Sequence, residues 1–190
     1  MKKWLSVLVV VSIAFSLSGL WAGEEDKKAS EQEKKDEVNA MAKEALAELF
    51  EGNASAKGLY DRAVGYAVFD NLKIQFIVAG GGGVGVAVDK ASGKRTYMKM
   101  GTGGIGLGLG GKKYQVIFLF ETEKRLQSFI EKGWKADTSA GAAAGSASAG
   151  VETQFQDGIA YYQITESGLI ASADIAGTKY WKHKKLNDDE

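Results

Sequence analysis

Side chains able to do covalent or metal chemistry are scarce in this sequence. It has one histidine, His183, and no cysteine. A multi-histidine metal site, a zinc ribbon, a thiol nucleophile and an acylated-cysteine lipid anchor are therefore excluded. His183 sits in the run YWKHKK with no Ser or acidic partner at motif spacing, and it reads as a solvated side chain. No Gly-x-Ser-x-Gly elbow is present. Glu121 and Glu123 flank a helix start, where carboxylates favour the helix dipole. These residues predict neither an enzyme nor a metal, and leave a hydrolase with a spatially assembled acid pair as a third reading.

Phosphate-binding spacings occur but lack their context. Gly-x-Gly-x-x-Gly is found at 80/82/85, 101/103/106 and 106/108/111. The nucleotide motif needs a strand before it and a helix after it, so that phosphate meets a helix N-terminus. Here alternating strand follows. Residues 106–112 read Gly-x-x-x-x-Gly-Lys, but position 113 is Lys, so the Ser/Thr ligand for magnesium is missing. No cofactor is expected. The 24 Lys+Arg balance 24 Asp+Glu, which gives no global pull toward nucleic acid.

The glycines suggest a surface instead. Thirteen of the 25 lie between Gly80 and Gly111. Gly104, Gly106, Gly108 and Gly110 alternate with Ile105, Leu107 and Leu109, so one face of that strand is bare backbone. Something must approach it closely. It is either the protein's own side chains, such as Trp134 or the N-terminal helix, or a ligand such as an acyl chain. Under the second reading these four glycines are the acyl-contact face. Taking 84–88, 95–100, 104–109 and 114–120 as successive antiparallel neighbours brings two turns to one end of the sheet. That gathers Lys90, Lys94, Arg95, Lys112 and Lys113 into a rim for an anionic headgroup. The run Lys179-Tyr-Trp-Lys-His-Lys-Lys185 is a second basic candidate, its Tyr and Trp suited to a membrane interface.

The elements around these residues read from N- to C-terminus. Lys2 and Lys3 precede an uncharged stretch with an apolar heart, and a small residue closes it. This describes a secretory signal peptide over 1–22, cleaved after Ala22, and hence export to the periplasm or beyond. Residues 23–37 are a charged spacer, a solvated tether or the frayed start of a helix. Val38, Met41, Ala42, Ala45, Leu46 and Leu49 then recur at helical spacing, and a short helix follows over 55–62. Strands dominate from Val64 onward, interrupted by one helix capped by Thr122 and stopped by Gly133. The domain runs over 38–185, with an acidic tail at 186–190. The fold class is α+β: a mainly antiparallel, glycine-rich twisted sheet or partly closed barrel, with an N-terminal helical segment and one inserted helix.

From about Lys57 to Trp181 the chain resembles the SYLF domain, a lipid-binding family of exported bacterial proteins and of eukaryotic proteins at the membrane–actin boundary. The resemblance is carried by Ala63-Val-Gly-Tyr-Ala-Val-Phe69, Gly80-Gly-Gly-Gly-Val-Gly-Val86 and the Gly-x-Gly-x-Gly run before YQVIFLF. Phe129-Ile-Glu-Lys-Gly-Trp134, the small-residue tract, Ile159-Ala-Tyr-Tyr-Gln, Gly168-Leu-Ile-Ala and Gly177-Thr-Lys-Tyr180 complete it in order. The resemblance implies binding of phosphoinositide or other anionic phospholipid, and actin bundling in eukaryotic relatives. It implies no catalytic residue. Asp70 and Tyr97-Met98 stand where many relatives carry Pro. The function expected is that of a non-enzymatic, membrane-associated binder of anionic phospholipid. The alternative is a structural or protein-interaction module with no lipid ligand.

Overall fold

The computed structural model describes residues 8–71, 82–102, 114–135, 154–165, 168–171 and 178–188. Two compact units are present, residues 1–37 and 38–190. Helix α1 runs over Leu8–Gly52. In the first unit the charged stretch is therefore helical rather than a tether. Its Glu, Lys, Ala and Gln are good helix formers. Lys27 and Glu31 lie 3.9 Å apart, and Gln32 Nε2 donates to Asp36 Oδ1 at 2.9 Å. Such i,i+4 pairs each add about 0.2–0.5 kcal/mol. No helix among the described residues is long and apolar enough to cross a membrane.

In the second unit, α1 stops at Gly52 and Asn53 caps α2 (Ala54–Arg62), its side chain accepting from the Ala56 amide at 3.1 Å. The strands are β1 (Gly65–Asp70), β2 (Gly82–Asp89), β3 (Arg95–Thr102), β4 (Tyr114–Phe120), β5 (Trp134–Lys135), β6 (Ile159–Thr165), β7 (Gly168–Ala171) and β8 (Thr178–Lys182). Helix α3 (Glu123–Lys132) is the insertion between β4 and β5. Thr122 Oγ1 accepts from the Arg125 amide at its start, and Gly133, at φ 71°, ends it. The eight strands form one sheet in the order β5-β8-β3-β2-β1-β4-β6-β7, every pair antiparallel. The α+β class with an antiparallel sheet is thus what the molecule has.

Alternating side chains feed two cores, one on each face. Val68, Val84, Val86, Ile117, Leu119 and Tyr162 meet Val38, Met41, Ala45 and Leu49 of α1 and Leu59 of α2. On the other face Phe69, Met98, Met100, Phe118, Phe120 and Tyr180 meet Leu126, Phe129 and Ile130 of α3. The apolar stripe of residues 38–49 is therefore spent on the sheet rather than offered to a membrane. The aromatic core is a mesh of tilted and edge-on ring contacts, with Phe69 and Tyr180 centroids 4.7 Å apart and Phe118 and Tyr180 5.0 Å apart.

The C-terminus departs from expectation. His183 is buried rather than solvated, and its Nδ1 accepts from the Leu186 amide at 3.3 Å, capping a 3-10 turn over Lys184–Asn187. Asn187 is stitched to β3: its Oδ1 accepts from the Tyr97 amide at 3.0 Å and its Nδ2 donates to the Tyr97 carbonyl at 2.8 Å. This pins Leu186, 3% exposed, into the helix-side core. Leu186, the first residue of the expected acidic tail, is therefore buried rather than solvated. Leu186→Ala is expected to cost about 2–4 kcal/mol in urea unfolding, the usual penalty for truncating a buried leucine. A solvated tail would leave the unfolding midpoint unchanged.

Candidate functional site

The five residues expected to form a headgroup rim do not share one role. The Lys90 ammonium is committed to the C-terminal end of α2. It donates to the carbonyls of Tyr60 at 2.7 Å and Ala63 at 2.9 Å, with Asp61 at 3.4 Å, and stands 4.4 Å from the Tyr60 ring centroid. A helix C-terminus carries unpaired carbonyls and partial negative charge, which a cation satisfies. Lys90 thus caps α2 in this structure. Lys94 and Arg95 are exposed on the β2–β3 hairpin, whose turn is built by Asp89. Hydrogen bonding from the Ser92 side chain, and from the Ser92 and Ala91 amides, holds the Asp89 carboxyl below its ordinary range.

Lys112 and Lys113 lie outside the described residues, as do Gly104, Gly106, Gly108 and Gly110. The strand count that brought them to the hairpin end needs correction. β4 pairs β1 rather than standing in line after β3. Gly65 of β1 is opposite both Asp89 and Phe120, while Asp70 is opposite Val84 and Gln115. Tyr114, which follows Lys113, therefore begins β4 at the end of the sheet away from Lys94 and Arg95. Six strand residues, about 20 Å, separate the two ends. A central β1 reverses the direction of β4, and no local signal in the sequence announces that.

Three of the described strand glycines, Gly83, Gly85 and Gly101, are covered by the chain itself. A Cβ at Gly83 would lie 2.1 Å from the Asp70 carbonyl oxygen, and one at Gly85 would lie 2.1 Å from that of Val68 and 2.4 Å from the Phe69 ring. At Gly101 it would meet the Trp181 indole at 2.9 Å. Of the two readings of bare strand backbone, the protein's own groups fill these three positions. The aromatics are Phe69 and Trp181 rather than Trp134, which packs 5.4 Å from Phe118 in the aromatic core.

Charge is instead sorted by strand. β3, β8 and β5 contain Arg95, Lys99, Lys135, Lys179 and Lys182 and no acidic residue. β1, β2, β4, β6 and β7 contain no Lys or Arg at all. All the basic residues of the described strands therefore sit on one flank, in three adjacent strands. Register places Lys99 opposite Trp181, and Lys179 opposite both Gly101 and Lys135. Lys135, Lys179, Trp181 and Lys182 are exposed and Lys99 is half-buried, while Tyr180 between them is fully buried. Exposed Lys184 and Lys185 extend the array into the 3-10 turn. Of the second basic candidate, Lys179, Trp181, Lys182, Lys184 and Lys185 are exposed, Lys182 falls opposite Met98 on the aromatic side, and Tyr180 and His183 are buried. Lys99 and Lys135, distant in sequence, join it by register that only the fold supplies.

What this arrangement can do is electrostatic. Among the described residues no three His, Asp or Glu side chains converge on a possible metal site. Burial raises the Tyr180 phenol well above its ordinary pKa, so it stays neutral inside the aromatic core. Lys90→Met is expected to lower folding stability by about 1–3 kcal/mol, the range for losing charge-assisted hydrogen bonds. Urea unfolding measures that loss, and the folded variant should retain the parent's affinity for anionic surfaces.

Residues 101–189 match the family profile described as Ysc84, Las17-binding protein actin regulator. The chain is also similar to beta cell expansion factor A of Aeromonas veronii, at 45% identity over 151 residues. That alignment covers 80% of this chain and 58% of the relative, so the chain spans rather more than half of the length of the protein it matches. The profile match holds β5, β8, the buried Tyr180 and the C-terminal turn, but not Arg95 or Lys99 of β3. The chain belongs to the SYLF (Ysc84) family, whose members are non-catalytic, lipid- and actin-associated binding modules.

Proposed function

We propose that this protein is a non-enzymatic binder of anionic phospholipid surfaces, exported to the bacterial envelope or beyond. One observation carries the reading: every Lys and Arg of the described strands lies on the β3–β8–β5 flank, with an exposed tryptophan among them. A chain of zero formal charge gains nothing from global attraction, but a cluster attracts locally. Basic residues near an anionic bilayer contribute about 1 kcal/mol each, within a Debye length of about 10 Å at 0.1 M salt. The sheet supplies rigidity, so little side-chain ordering beyond the lysines themselves is needed on binding.

Export is supported by the Lys2-Lys3 start and the uncharged stretch after it. The absence of cysteine suits a domain large enough to fold without disulfides. The absence of a catalytic constellation in the sequence supports a binding role. The family description names actin regulation, but an exported bacterial protein meets lipid before it meets actin.

Flotation tests the reading. The protein should rise with phosphatidylcholine vesicles that contain phosphatidylglycerol and stay behind with phosphatidylcholine alone. Binding should weaken steeply as salt is raised, because the attraction is between exposed charges. Equal flotation with neutral vesicles, or none with anionic ones at low salt, overturns it.

A further inference from the structure

Trp181 is the exposed large apolar side chain of the described residues, at 37% exposure. Residues paired across antiparallel strands share a face. Register therefore sets Trp181 with Lys99, Lys179 and Lys135 on one face of the flank. Met98, Met100, Tyr180 and Trp134 belong to the opposite face and its aromatic core. Beneath the indole is Gly101. Its missing Cβ would meet Cη2 and Cζ3 of Trp181 at 2.9 and 3.2 Å. The benzo ring thus rests on bare backbone, with nothing in the β3 side chain at that point to hold it. A tryptophan favours the headgroup layer of a bilayer, and lysines favour its phosphates.

We infer that Trp181 is the residue that enters the headgroup layer of an anionic membrane, its indole leaving Gly101 while Lys99, Lys135 and Lys179 meet the phosphates. This rests on the anionic-phospholipid reading above and adds how the membrane is met: superficially, by one face of three strands, with no lipid engulfed there. The indole decides between ligands. A free phosphate would engage the lysines and gain nothing from a tryptophan. A bilayer uses both, since it offers anionic groups in a plane with an apolar layer beneath.

The test uses the full chain with Trp4→Phe, Trp21→Phe and Trp134→Phe, so that Trp181 alone emits. Vesicles of phosphatidylcholine with phosphatidylglycerol, brominated on the acyl chains, should shift its emission to the blue and quench it. Inorganic phosphate should do neither. Lys99→Gln, Lys135→Gln and Lys179→Gln together should weaken vesicle binding about a hundredfold, from about 1 kcal/mol per lysine. Gly101→Ala, which pushes the indole off the backbone, should bind more tightly than its parent. In the otherwise unaltered chain, Trp181→Phe should lose most of the quenching with its thermal midpoint kept. Flotation on anionic vesicles with Trp181 emission indifferent to bromine overturns the inference and leaves the lipid reading standing. So does full binding by the triple lysine variant. A parent chain that ignores anionic vesicles overturns both. Lysine-dependent binding to polyglutamate without vesicle binding would assign the face to a protein and likewise overturn both.

Discussion

The fold turns on how closely β1 and β2 approach. With any side chain at Gly83 or Gly85, a Cβ would sit 2.1 Å from a β1 carbonyl oxygen, a contact real structures do not show. Two glycines therefore permit the pairing, and the pairing places β1 in the middle of the sheet. From there β1 is buried on both faces, by helix-side valines and by aromatics. Strand glycine costs roughly 0.5–1 kcal/mol of stability each. Burial of Phe69 and Val68 on opposite faces of a central strand offsets that, since fully burying such a side chain is worth about 1.5–3 kcal/mol.

A sheet buried on both faces at its centre has no basic side chain in its central strands, although Asp70 ends β1 buried. β1, β4 and β6 carry no Lys or Arg because each would have to be desolvated, which costs several kcal/mol per ion. Charge is tolerated where one face is uncovered. On the β3–β8–β5 flank the aromatic core backs one face, and the other presents Lys99, Lys179 and Lys135. Tyr180 joins the two sides of the argument. Fully buried against Phe69, Phe118, Phe129 and Trp134, it anchors β8 so that its neighbours Lys179 and Trp181 must point outward. Exposure of the candidate surface is here a consequence of packing on the reverse side.

Local chemistry made much of this legible in advance. The 38–49 stripe, the Thr122 cap, the Gly133 stop and the Asp89–Lys94 turn follow from periodicity and capping, and each holds in the structure. What stayed hidden depends on which strand lies beside which. Nothing in residues 65–70 says that they pair with both 84–89 and 115–120, so the direction of β4 is not legible in the sequence. Lys90 looked like any turn lysine because its acceptors are carbonyls 27 and 30 residues away. His183 and Leu186 sit in a run so polar that burial could not be read from it; only docking on Tyr97 reveals why they are there. Lys99 and Lys135 gave no signal, since a cluster assembled by register has no motif.

Net charge is the quantity that conceals the candidate surface. Equal numbers of acids and bases sum to zero, and that sum argues against any polyanionic partner. Yet adjacent strands lie about 4.8 Å apart, so lysines paired across β5, β8 and β3 fall well inside one Debye length of one another. Their potentials add at the surface above them, while acids elsewhere on the molecule are screened. Placement by the sheet, rather than composition, therefore sets what the protein presents to a charged plane. That placement descends from the same constraint as the fold: glycines let β1 into the centre, β1 sends β3 outward, and β8 and β5 complete the uncovered flank.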